Sequence, residues 1–148
     1  MGKAVLKAGL IGLVVLVALT LINQFVIRPG GAMIYVMCGV SVIVYLGLGV
    51  LAAWFLPPER SPGKGAAAGA LAGLSGQAVS GALGVTISLI RIGRTGVIPG
   101  TTPEQMEALA ELNWDPSIMM IPGAVCGLII AIGVSAIGGG ILAALKPD

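Results

Sequence analysis

Charged residues are spaced so widely along the chain that they leave four long uncharged runs. The runs are bounded by Lys7 and Arg28, by Pro29-Gly30-Gly31 and Pro57-Pro58, by Lys64 and Arg91, and by Asp115 and Lys146. Each run reaches the ~20 apolar residues that a helix needs to cross a bilayer. The pattern predicts an all-α integral membrane protein with four transmembrane helices, at about 8–27, 32–56, 65–90 and 116–145.

The connection between the third and fourth runs carries a polar pattern of its own. Thr102, Pro103 and Gln105 have the spacing of a capping box with proline in the first helical turn. The residues that follow place glutamates on one helical face and apolar side chains on the other. This pattern predicts a short amphipathic helix over about 103–112 that lies at the membrane surface. Trp114 is expected to anchor its exit at the headgroup level, as is Trp54 at the end of the second span.

Composition identifies the same class of protein. The chain is 57% apolar and 9% charged, whereas a soluble domain carries about 25% charged residues. Its mean hydropathy is +1.05, so lipid is the expected solvent for most of its surface. All of 1–148 is predicted to form one transmembrane domain, because the connections are too short to hold another.

The few charges also exclude several functions. A net charge of +2 without a basic run offers no electrostatic footprint for nucleic acid. No charged residue lies inside a predicted span, which argues against proton-coupled transport and voltage sensing. The chain has no His, the commonest general base and metal ligand.

The two cysteines do not change this interpretation. Cys38 and Cys126 lie far apart in apolar runs, so they are predicted to be small buried side chains rather than disulfide or metal ligands. No nucleophile stands beside a base, and no phosphate-binding loop follows a strand. The sequence therefore predicts no catalytic residue, metal or cofactor, and a protein that is not an enzyme.

Small residues recur every four positions on the last two spans. Four residues are nearly one helical turn, so each row forms a groove that lets two backbones approach closely. Such small-xxx-small, or glycine-zipper, rows predict that the third and fourth spans pack tightly and lie centrally in the bundle. The third span has two such rows side by side, and its predicted packing positions are Gly65, Gly69 and Gly73 in the first row and Gly76, Ser80 and Gly84 in the second, which begins with Ala68 and Ala72. The predicted packing positions on the fourth span are Gly123, Gly127, Ala131, Ser135 and Gly139.

One amide and one proline interrupt these apolar helices. Gln77 lies in the middle of the third span, where its side chain must find a partner. A hydrogen bond between helices is favoured over a contact with a pore or substrate. Pro122 removes a backbone hydrogen bond near the start of the fourth span and predicts a kink or distorted entry there.

Basic residues indicate the orientation in the membrane. Lys3, Lys7, Arg60, Lys64 and Lys146 fall on the side of the termini, against three arginines on the other side, which favours cytoplasmic termini in the cell membrane. A cleaved signal peptide is the alternative for the first run. Its apolar stretch is longer than a signal-peptide core, and no small-x-small site precedes a polar start, so a retained helix is favoured.

The leading hypothesis is a small non-enzymatic multi-pass membrane protein that acts through helix packing. It would be a homo-oligomer or an accessory subunit of a membrane complex, with lipid and either itself or other membrane subunits as partners. The alternative is a small permease or passive channel in which the Gly and Ser faces line a path for a small neutral solute.

Overall fold

A computed structural model describes residues 2–25, 32–58, 60–96, 98, 102–112 and 116–146. Within these ranges the chain forms five α-helices and no strand, which confirms the all-α prediction. Four of the helices are long and apolar enough to cross a membrane, as the spacing of charges predicts. The helices are α1 (Gly2–Phe25), α2 (Ala32–Trp54), α3 (Pro62–Thr95), α4 (Pro103–Glu111) and α5 (Pro116–Leu145).

Two of the long helices extend beyond the predicted spans. α1 begins at Gly2, before Lys3 and Lys7, because a charged side chain ends an apolar span without ending a helix. α3 starts at Pro62, where the Ser61 side chain accepts a hydrogen bond from the Lys64 amide at 3.3 Å. It continues past Arg91 to Thr95 and is capped by Gly96, whose φ of 65° is left-handed backbone that favours glycine.

The connection that follows α3 contains α4, which begins at Pro103 as the capping pattern predicts. The amide of Met106 donates to the carbonyl oxygen of Thr102 at 3.0 Å and closes the first turn. α4 contacts none of the other described helices. α5 includes Pro122 without interruption of the helix.

The long helices pack with α2 and α3 at the centre. Each of these two helices contacts the other three long helices, whereas α1 and α5 do not touch in the described part of the chain. The expectation that the last two spans are central is therefore right for α3 and wrong for α5. α3 and α5 nevertheless share the most extensive interface of the bundle. The sequence predicts which helix faces consist of small residues. Which helices lie at the centre of the bundle depends on the position of α2.

Packing is tightest near one end of the bundle. We call the end that holds Lys7, Lys64 and Lys146 the lysine end, and the opposite end, which holds Arg91 and Arg94, the arginine end. Buried apolar residues lie from the lysine end to the middle; they are Ala4, Ala8, Leu16, Tyr45, Leu48, Ala52, Ala53, Leu56, Ala68, Ala72, Ala131 and Ala143, with Ile98 outside the bundle helices.

The arginine end is more open. There Tyr35 of α2 is 80% exposed and Ile121 of α5 is 59% exposed. The expectation that Cys38 and Cys126 are buried is wrong, because both lie on exposed helical surfaces of this half. Position within an apolar run does not determine which side of the helix packs against its neighbours, so it does not predict burial.

Candidate functional site

Three helix backbones meet at a junction without side-chain bulk. Gly49 of α2, Gly69 of α3 and Ser135 of α5 form it. A Cβ atom added at Gly49 or at Gly69 would lie closer than 3.0 Å to the carbonyl oxygen of Ser135, a separation that real Cβ atoms essentially never show. The Cβ built at Gly69 would also lie 3.3 Å from the Cα atom of Gly49. Glycine is therefore required sterically at both positions.

The first small-residue row of α3 packs against α5 on both sides of this junction. A Cβ at Gly65 would collide with the carbonyl of Gly139, and a Cβ at Gly139 would collide with the carbonyl of Gly65. One turn beyond the junction, a Cβ at Gly73 would lie 2.6 Å from the Ser135 hydroxyl oxygen. This side of α3 therefore packs backbone against backbone, as small-residue rows allow.

The second row of α3 faces α1 instead. Ala68 and Ala72 form a buried cluster with residues of α1 and α2. Further along, a Cβ at Gly76 would lie 2.7 Å from a methyl carbon of Leu16, and a Cβ at Gly84 would lie 3.5 Å from the Thr20 methyl. Ser80, between them, is buried and donates its hydroxyl to the carbonyl of Gly76 at 2.8 Å. The two rows thus serve two different neighbours.

The predicted row of α5 is packed along one part of its length and open along the other. Ala131, Ser135 and Gly139 are buried against α2 and α3. A Cβ at Gly127 would lie 3.1 Å from the Gln77 amide nitrogen, and a Cβ at Gly123 would have nothing within 4 Å. Gly123 shares the four-residue spacing of the row, but the space where its Cβ would lie is open. Its role in packing stays a prediction.

Several packing positions were missed from the sequence. On α2, Gly49 sits in the junction, and Leu48 fills the space left by Gly12 of α1. On α5, a Cβ at Gly138 would collide with the Leu46 carbonyl. α1, which resembles a lipid-facing helix in composition, has its own buried positions every four residues at Ala4, Ala8, Gly12 and Leu16. That spacing was the signal that could have identified them.

A polar cluster lies beside the junction. The Tyr45 hydroxyl of α2 donates to the Oε1 atom of Gln77 on α3. The Ser135 hydroxyl of α5 donates to the backbone carbonyl of Tyr45 at 3.0 Å. The predicted helix-to-helix partner of Gln77 is therefore a buried tyrosine, and polar side chains link all three helices that meet at the junction.

Three further hydroxyl groups of the long helices donate within their own helix. Ser41, Ser75 and Thr86 each donate to a carbonyl oxygen three or four residues earlier, at 2.8 to 3.0 Å. A hydroxyl held in this way is satisfied without a partner from another helix. These three side chains therefore contribute no further polar contact between the helices.

Cations at the lysine end rest on aromatic rings and carbonyl groups. The Lys146 ammonium lies 4.4 Å from the centroid of the half-exposed Trp54 ring, and Lys7 lies 5.9 Å from that of Phe55. Arg60 donates to the carbonyl oxygens of Trp54 and Leu56, at 3.1 Å each. Trp114, the other predicted anchor, lies outside the described residues.

The arginine end has a second polar cluster. The Arg91 guanidinium of α3 donates to the carbonyl oxygen of Gln24 on α1 at 2.7 Å, and the Gln24 amide donates to Ser88 at 3.2 Å. Arg91 also lies 5.8 Å from the centroid of the Phe25 ring. A cavity of about 290 Å³ opens beside it, lined by Phe25, Ile87, Ile90, Arg91, Arg94 and Thr95.

Chemical groups for catalysis do not converge at either cluster. Among the described residues, no group of three His, Cys, Asp or Glu side chains could hold a metal ion. No protein-family model, curated protein or solved structure matches this chain. The candidate functional features of the described residues are the glycine junction, the tyrosine–glutamine pair and the cavity lined by two arginines.

Proposed function

We propose that this chain is a non-enzymatic multi-pass membrane protein that acts through helix packing, as a homo-oligomer or as an accessory subunit of a membrane complex. Its exposed surface supports the membrane assignment, because large apolar side chains cover all four long helices. Leu10, Ile43, Ile90 and Ile129, one from each helix, are each more than half exposed. Lipid is the solvent in which such a surface is stable.

The observation that carries the packing role is a second set of glycines on the outside of the bundle. A Cβ at Gly47 of α2 or at Gly133 of α5 would meet nothing within 4 Å. Their neighbours Ile43 and Ile137 are 70% and 58% exposed. Helices associate in lipid by close backbone approach. The exposed faces around these two glycines could therefore pack against a helix of a second copy or of another subunit.

Native mass spectrometry in mild detergent tests this proposal. We expect the wild-type chain to carry either further copies of its 14.7 kDa mass or a different membrane chain. Gly133→Leu and Gly47→Leu add bulk only on the outside, so at least one should reduce the complex roughly tenfold, which corresponds to about 1.4 kcal/mol. Thermal unfolding of the isolated chain should not fall in either variant, because the added side chain meets no other part of the bundle.

Val14→Leu is the matched control, because Val14 is 67% exposed and lies on α1, whereas the two glycines lie on α2 and α5. It should leave the complex intact. A wild-type chain that is purified from native membranes as a lone monomer would contradict the packing role. So would a complex that tolerates both glycine substitutions.

The interior polar groups favour this role over a permease or channel. Gln77 bonds to Tyr45, and Ser135 bonds to the Tyr45 carbonyl, so both side chains already have partners within the bundle. A solute path would need polar groups that are free to exchange partners with the solute. A hydrogen bond between helices needs only the geometry described above.

Orientation is part of the proposal: both termini, and with them the lysine end, face the cytoplasm. Single cysteines in a Cys38→Ala/Cys126→Ala background test it. Ala110→Cys on exposed α4 should react with a membrane-impermeant maleimide in intact cells. Gly63→Cys at the exposed start of α3 should react only after the membrane is opened. The reverse labelling pattern would contradict cytoplasmic termini.

A further inference from the structure

We propose that the cavity at the arginine end binds the anionic headgroup of a phospholipid, with the phosphate held by Arg91 and Arg94. This inference rests on the membrane assignment proposed above, but not on the oligomeric state. The cavity combines a cationic rim with an apolar wall formed by Phe25, Ile87 and Ile90. That combination matches an amphiphile that carries a negative group next to an apolar chain.

The two guanidinium groups are placed to share one anion. Arg91 and Arg94 are three residues apart on α3, so they lie on neighbouring turns of the same face and repel each other in the absence of an anion. Guanidinium groups bind phosphate through paired N–H donors. A phosphate between them would replace a repulsion by two charge-assisted interactions.

Arg91 is held in position before any ligand binds. It is half-buried, it donates through one terminal nitrogen to the Gln24 carbonyl at 2.7 Å, and it lies over the Phe25 ring. A guanidinium has five N–H donors, so further donors are left for an anion. Arg94, by contrast, is exposed and can adjust to the ligand. The site therefore has one positioned cation and one exposed cation.

The position of the cavity along the axis of α3 fits the level of a lipid headgroup. Lys64 and Arg91 both lie on α3, and the helical rise places them about 40 Å apart along its axis. A bilayer measures about 40–45 Å when its headgroup regions are included. With Lys64 at one surface, Arg91 reaches the phosphate level of the other, and Ile87 and Ile90 reach toward the acyl chains.

Carboxylates of the same end do not occupy the cavity in the described part of the chain. The described acids there are Glu104, Glu107 and Glu111 of α4, and α4 contacts none of the other described helices. At the lysine end, Lys7 and Lys146 lie over aromatic rings, and Arg60 donates to two carbonyl groups while its other terminal nitrogen is buried without a hydrogen-bond partner. Arg91 and Arg94 line the same cavity, so two cations of α3 meet at one opening.

Lipid exchange in nanodiscs tests the site. The wild-type chain, Arg94→Gln and the control Lys64→Gln are placed in nanodiscs of phosphatidylcholine mixed with phosphatidylglycerol, and the phosphatidylglycerol that the chain retains is quantified after transfer to detergent. Both substitutions remove one exposed positive charge, but only Arg94 lines the cavity. We expect Arg94→Gln to weaken phosphatidylglycerol binding about fivefold, as is typical of one basic residue at an anionic surface. Lys64→Gln should bind as the wild type does.

A second variant separates bidentate recognition from simple charge. Arg91→Lys keeps the charge but loses the planar fork, so it should also lower phosphatidylglycerol retention while the helical content of the chain stays unchanged. Equal retention by wild type and Arg94→Gln would overturn the proposal, as would equal losses in Arg94→Gln and Lys64→Gln. Competition by inorganic phosphate at equal concentration would indicate a free-anion site and overturn the lipid assignment. A chain that does not enter phosphatidylcholine nanodiscs would overturn the membrane assignment together with the site.

Discussion

Gly69→Ala is expected to destabilise the bundle although alanine is the better helix former. The added methyl group would press on the carbonyl of Ser135 in α5 and lie against Gly49 of α2. Because these are backbone atoms, a side-chain rotation cannot make room, and whole helices must move apart. Over-packing of this kind costs about 1–3 kcal/mol. The measurement is unfolding of the chain in detergent by increasing denaturant, followed by its helical signal.

Two other glycines provide matched controls for this substitution. At Gly133 of α5 the methyl group meets nothing within 4 Å, so Gly133→Ala should stabilise the chain by about 0.5–1 kcal/mol through helix propensity alone. At Gly84 of α3 it would make an ordinary contact at 3.5 Å, and an intermediate result is expected. A Gly69→Ala chain as stable as Gly133→Ala would contradict the assigned junction.

Tyr45→Phe and Gln77→Leu are each expected to destabilise the chain. In the double variant, the loss of unfolding free energy should be smaller than the sum of the two single losses. Either change removes the hydroxyl–amide bond and takes one partner from the polar group that remains, which costs up to about 1–3 kcal/mol. The double variant removes both groups. Hydrogen bonds between membrane helices contribute about 0.6–2 kcal/mol, so the coupling energy in a double-mutant cycle should fall in that range.

Thr86→Val is the control for this cycle. Thr86 is exposed and bonds to the Ala82 carbonyl of its own helix, so its loss should change stability by less than about 0.5 kcal/mol. Additive effects of the Tyr45 and Gln77 substitutions would contradict a structural bond. Flux of a neutral solute in proteoliposomes that Gln77→Leu abolishes without changing stability would support the permease alternative instead.

The helices themselves were largely predictable from local sequence. The lengths of uncharged runs identify four apolar helices, and the Thr102-Pro103 start identifies the short helix α4. The helix ends were less predictable. Charged residues bound an apolar run, whereas capping residues determine where the helix itself stops. α3 shows the difference, since it runs from a Ser61 cap through Lys64 and Arg91 to the left-handed Gly96.

The partners of the small residues were not predictable in the same way. Gly65, Gly69 and Gly73 share their spacing with Ala68, Ala72 and Gly76, yet the first row faces α5 and the second faces α1 or the core. A four-residue row defines a face of one helix and contains no information on which helix lies opposite. Gly123 makes the same point, because its row is regular but the space beside it is open.

The sequence alone determined that this chain forms four long apolar helices with their charges near the ends, because that result depends on composition and on residue spacing within single segments. Only the tertiary structure decided which residues meet across those segments. Tyr45 and Gln77 are 32 residues apart and Ser135 and Tyr45 are 90 apart, and the Arg91 cavity joins α1 to α3. Contacts over such separations depend on how all the helices pack together, which no single segment encodes.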